Sequence, residues 1–191
     1  MSNKKTVCTA LLIMTGLASA MTQAGDRAGA FFVRPSIAHY FPASKRHLEG
    51  TGAPQLILGY DASERWGMGA GVTVLNTSQK SDIGGENVHG FLYTFDAIYR
   101  LETLKGFSPW VFAGPMITSL KPPTGSDPIN QAGASAGVGA GYYFSDSIGL
   151  SAEARDLYTF SGGKNDFLLT AGLVFLLGGQ PEQPTVKAAY K

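Results

Sequence analysis

The sequence holds a single cysteine, Cys8, and it falls in a segment that reads as removed on export. The mature chain is then expected to have none, which excludes disulfides, thiolate metal sites and cysteine nucleophiles together. Charge is scarce too: Asp, Glu, Lys and Arg make up 15% of the residues, against about a quarter in soluble domains. The formal net charge is +1, so no basic excess points to nucleic acid and no acidic run to a solvating tail. Nor does any mature segment stay apolar over the ~20 residues that a membrane-spanning helix requires. A membrane protein without such helices has to satisfy its backbone between strands, as a closed barrel.

The first residues have the three parts of a secretory signal. Lys4 and Lys5 are followed by an apolar run from Thr6 to Leu17 and then by Ala18-Ser19-Ala20, the small residues that a signal peptidase requires. We read 1–20 as the signal peptide, with cleavage after Ala24 as the alternative. Cys8 lies early in the apolar run, not at its end, so the lipoprotein pattern is absent. About 170 residues remain, enough for one domain.

Glycine is abundant, at 25 residues, and aromatics reach 11%. Alternation between turn signals marks eight strands near 30–40, 53–61, 66–75, 89–100, 107–117, 131–144, 148–159 and 167–177, each close to the ~9–11 residues of a tilted transmembrane strand. Connections after the first, third and fifth strands are long and polar (42–52, 76–88, 118–130). Those after the second, fourth and sixth are short (62–65, 101–106, 145–147), and 161–166 is intermediate. This predicts an all-β fold, an eight-stranded antiparallel up-and-down transmembrane β-barrel with both termini in the periplasm, over residues 28–179.

Side-chain parity carries the same message. In the fourth strand Phe91, Tyr93, Phe95, Ala97 and Tyr99 share one face, suited to lipid, while Leu92, Thr94, Asp96, Ile98 and Arg100 share the other. In the sixth, Gly133, Ser135, Gly137, Gly139 and Gly141 suit a narrow lumen. A soluble lipocalin-type barrel, the competing eight-stranded reading, would have apolar residues inside and charges outside. Two aromatic girdles are expected: Tyr60, Trp66, Tyr99, Phe107, Trp110, Tyr142, Tyr143 and Phe144 near the short turns, and Tyr40, Phe41, Phe91, Tyr158, Phe160 and Phe167 near the long loops.

Parity aims Arg34, Asp96, Arg100, Glu153 and Arg155 into the lumen. Arg34, Asp96 and Glu153 fall at similar depth, Arg155 above them and Arg100 nearer the rim. Unpaired charges in a confined lumen are costly, so these residues are expected to pair. Two readings follow: a static polar filling, or a gate in which Glu153 and Asp96 exchange partners among the three arginines.

These residues resemble the N-terminal eight-stranded domain of the OmpA-like outer-membrane proteins, including the OprF type. The resemblance is most specific in the last strand, where Thr170, Gly172, Phe175 and Leu177 match the terminal signal of such barrels. It implies recognition by the barrel assembly machinery, a setting of outer-membrane lipid and lipopolysaccharide, and an interior salt-bridge network that admits small ions when it switches. Residues 178–184 resemble the Pro-containing hinge that precedes a peptidoglycan-binding domain in longer members. The sequence ends at Lys191, so 180–191 reads as a flexible periplasmic tail and peptidoglycan is not expected as a partner.

Other motifs carry less. Gly67-x-Gly69-x-Gly71 and Gly137-x-Gly139-x-Gly141 imitate nucleotide fingerprints without a following helix. His39, His47 and His89 are too dispersed for a metal site, and no cofactor is expected. Nucleophile, base and orienting group cannot be assembled, which argues against an enzyme. An adhesive or surface-binding role would rest on the loops, through basic Lys45-Arg46-His47 and the proline-rich stretch 118–128.

Overall fold

The computed structural model describes residues 28–81, 85–103, 106–121 and 129–179. The predicted signal peptide, the tail 180–191 and most of the proline-rich stretch lie outside them. Eight strands follow in chain order: β1 Ala30–Phe41, β2 Thr51–Asp61, β3 Trp66–Ser78, β4 Asn87–Arg100, β5 Phe107–Lys121, β6 Ile129–Tyr143, β7 Ile148–Thr159 and β8 Lys164–Gly178. Each pairs antiparallel with its neighbours, and β8 returns to β1, closing the barrel. Closure leaves no unpaired sheet edge, which is what lipid demands.

The register determines the interior. A path of paired residues leaving Phe31 runs through Tyr60, Met68, Ala97, Ala113, Ala136, Asp156 and Phe167 and returns to β1 at Phe41. From 31 to 41 is a shear of ten. With eight strands such a stagger tilts them by about 35–45° and leaves an interior that side chains fill. Strand β4 alternates exposed and buried along almost its whole length. Its aromatic parity, together with Phe31, Leu58, Met68, Leu169 and Leu177, faces outward, and Ile37 is 73% exposed. That is the polarity of a barrel in lipid, opposite to a lipocalin's. Asp156 is an outward-facing exception, 3.5 Å from the amide of Asn165.

Three expectations change. The strands run further toward the long loops than predicted: Ser78 still pairs with Asn87, and Leu120 with Ile129. Their ends read as loop because the residues there are polar on both parities, although inward Thr77 and Thr118 stay buried. The stretch 161–166 is not an intermediate loop; Lys164 already pairs with Thr159, and Gly162 and Gly163, both at positive φ, make the turn tight. Finally, Tyr40, Trp110 and Tyr143 belong to the interior, each no more than 5% exposed. They sit on the inward parity, and glycine makes room for one of them: a Cβ on Gly139 would lie 2.5 Å from the Trp110 ring. Outward aromatics do pair at both ends, with Trp66–Tyr99 centroids 4.9 Å apart at the short-turn end and Phe41–Phe167 6.2 Å apart at the other.

Phe95 lies mid-wall on the outward face, so Phe95→Arg should lower stability in vesicles by about 2–4 kcal/mol while Phe95→Leu costs far less. Urea titration of the refolded protein measures both; equal stability of the two variants would contradict a lipid-facing wall.

Candidate functional site

The lumen is filled by alternating layers of charge and hydrocarbon. At the short-turn end Arg100 donates Nη2 to both carboxylate oxygens of Asp61, at 2.7 and 2.9 Å. Above lies an apolar cluster of Phe32, Ile57, Ile98, Trp110, Phe112, Tyr143, Val174 and Leu176. The central charges come next: Arg34 pairs with Glu153, and Arg155 grips Asp96 through two bonds of 2.8 Å. A second apolar cluster follows, including Tyr40, Leu75, Leu92, Met116, Leu157 and Leu168. Arg46 and Asp166, 2.8 Å apart, close the loop end.

In the central layer neighbours hold each carboxylate in place. Glu153 also accepts from Trp110 Nε1 at 3.2 Å, and its second oxygen stands 3.7 Å from Arg155. Ser135 donates to Asp96 at 3.2 Å. The arginines lie against aromatic faces, Arg34 4.8 Å from the Phe32 centroid and Arg155 4.2 Å from that of Phe112, where cation–π attraction adds to the ion pairs.

All five sequence-predicted lumen charges are buried, and four of them meet. Arg100 is the correction: its carboxylate is Asp61, not Glu153 or Asp96. Both residues end their strands on the inward parity at the same rim; Asp61 is the last residue of the expected second strand and was not counted among the lumen charges. Arg46 and Asp166 were also missed. The first loop is not simply a basic surface, because the 3-10 turn Ser44–Arg46 points Arg46 inward, where it also bonds Gln131 and Thr159 at 3.0 and 2.7 Å. The inward parity of Asp166 was the available signal, hidden by its assignment to a loop. At the short-turn end the exposed Arg65 guanidinium is held above its ordinary pKa by its hydrogen bond to Tyr99.

The β8 residues divide by face. Thr170 and Gly172 point inward, whereas Phe175 and Leu177 point out. Gly172 pairs with Ser36 at the seam with β1, and a Cβ there would fall onto the Pro35 carbonyl, so the closing strands need glycine at this point. His39 and His89 are both exposed on the outer face, and His89 Nδ1 lies 2.8 Å from Asn76. Among the described residues no group of three or more His, Cys, Asp or Glu side chains could hold a metal ion.

A closed eight-stranded barrel with an apolar exterior and a charge-paired interior defines an outer-membrane barrel protein. The family model of the outer membrane protein beta-barrel domain matches residues 10–175, and the chain belongs to that family, whose place is the bacterial outer membrane. Among solved structures it resembles OprG from Pseudomonas aeruginosa, with 12% identity over 82% of this chain and 99% of that one and a TM-score of 0.65. The N-terminal β-barrel domain of Pseudomonas aeruginosa OprF matches with 21% identity over 78% and 99%, TM-score 0.58. Neisserial surface protein A matches with 17% identity over 77% and 98%, TM-score 0.61. These likenesses concern the fold. The comparison with curated proteins found no match.

Removing one member of a buried pair strands the other charge, at a cost of about 3–5 kcal/mol, whereas replacing both by apolar residues is often close to neutral. Asp96→Leu should therefore destabilise more than the double variant Asp96→Leu/Arg155→Met, read by urea titration in vesicles. A double variant as unstable as the sum of the two single ones would contradict the pairing.

Proposed function

We propose that the protein is a structural, loop-presenting barrel with a sealed lumen, its termini in the periplasm and its longer loops outside. The observation that supports this best is the layering: two apolar clusters lie between the charge layers, so breaking one ion pair opens no continuous aqueous path. The outward aromatics set the barrel among outer-membrane lipids, and exposed Lys45 suits contact with lipopolysaccharide phosphates. The outward Phe175 and Leu177, with Gly172 at the seam, are the part of β8 available to the barrel assembly machinery. No catalytic role is assigned.

A second reading, a small gated pore, draws on one feature. Glu153 stands between Arg34 and Arg155, and Arg34 Nε, Arg155 Nε and Glu153 Oε2 make no hydrogen bond among the described residues. This is where partner exchange would begin. Single-channel recording in planar bilayers separates the two. The sealed barrel predicts silence, both for the native protein and for Glu153→Gln. Discrete steps in the native protein that Glu153→Gln alters would overturn it in favour of the gate.

A further inference from the structure

Closure at the loop end differs in kind from the rest of the lumen. It depends on one side chain of the β1–β2 connection. Arg46 Nε donates to both oxygens of Asp166 at 2.8 Å, and the Ala43 backbone N–H donates to the same carboxylate at 2.8 Å. The turn itself buries little beyond the Arg46 side chain, whereas the following Leu48 is buried and bridged to Gln79, so packing holds the connection beyond His47 and the ion pair holds the turn before it. At its end His47 takes a left-handed conformation, φ 52°, which non-glycine residues seldom adopt. Beneath this contact the Tyr40 hydroxyl is buried beside Asp166, near it but short of full hydrogen-bond geometry with any described residue.

We propose that the first loop is a two-state latch over the lumen, with Asp166 exchanging donors: Arg46 and the Ala43 N–H when the latch is closed, the Tyr40 hydroxyl when it is lifted. The cost of lifting an arginine from a buried carboxylate is mainly that of stranding the carboxylate. A waiting hydroxyl lowers that cost, and the carboxylate then biases two discrete arrangements. Opening exposes the apolar cluster around Leu157 while the Asp96–Arg155 and Arg34–Glu153 pairs below stay in place. The inference rests on the reading of a sealed lumen, and it gives that seal a movable outer part.

The test uses Leu157→Cys, with Cys8→Ser in the background, labelled in nanodiscs by a cationic methanethiosulfonate reagent. Heat-modified electrophoretic mobility checks that each variant is folded, and Met116→Cys repeats the measurement from β5. Labelling of the parent should be slow, at least tenfold faster with Arg46→Gln, and slower than the parent with Tyr40→Phe, because the lifted state loses its donor. A merely structural Tyr40 would loosen the mouth when truncated and speed labelling. Faster labelling with Tyr40→Phe, or none gained with Arg46→Gln, overturns the latch alone. A parent that labels as fast as a cysteine at exposed Lys45 overturns the sealed lumen and the latch with it.

Discussion

A charge brought into this lumen has to be neutralised inside it. An unpaired buried ion costs several kcal/mol even after relaxation, a large part of the 5–15 kcal/mol that holds a typical domain folded. Four arginines face inward among the described residues, Arg34, Arg46, Arg100 and Arg155, and each meets its own carboxylate: Glu153, Asp166, Asp61 and Asp96. The partners sit on different strands or loops, so forming the pairs and closing the barrel are one event. Arg34 joins β1 to β7, Arg100 joins β4 to β2, Arg155 joins β7 to β4, and Arg46 ties the first loop to β8.

Space for this packing comes from the backbone. Large inward side chains such as Trp110 and Phe112 face glycines on β6, where a Cβ would lie 2.5 Å from either ring. The outer wall needs only to be apolar and tolerates irregularity, while the inner wall must fit side chain to side chain. Sealing and stability thus have one origin. The filling that excludes water from the lumen is also what supports the ion pairs, since a low-dielectric surrounding strengthens a satisfied network.

How much of this could be read in advance depended on periodicity. Strand count, order and facing followed from period-two patterns as clear as Phe91 to Tyr99, because lipid and lumen place opposite demands on alternate residues. Strand ends were less legible. Where a strand rises past the membrane both faces are polar, and Asn76, Thr77 and Ser78 look like a loop although they pair. Of the ion pairs, those with both members mid-strand were foreseen; Asp61 was overlooked at the last position of its strand, and Asp166 and Arg46 lay in stretches read as loops, to which parity was not applied. Tyr40, Trp110 and Tyr143 misled because an aromatic near a strand end suits either girdle or core, and their inward parity is what decides.

The four inward arginines are buried in paired, water-poor surroundings. Hydrogen exchange of arginine side-chain Nε–H groups, followed by NMR of the protein in nanodiscs, tests it most directly, with Arg65, fully exposed in the β2–β3 turn, as internal reference. A sealed, charge-balanced lumen predicts that the Nε–H protons of Arg100 and Arg155 exchange at least a hundredfold more slowly than that of Arg65. Exchange of all three at a common rate would mean a water-filled lumen and would overturn the sealed, charge-balanced barrel.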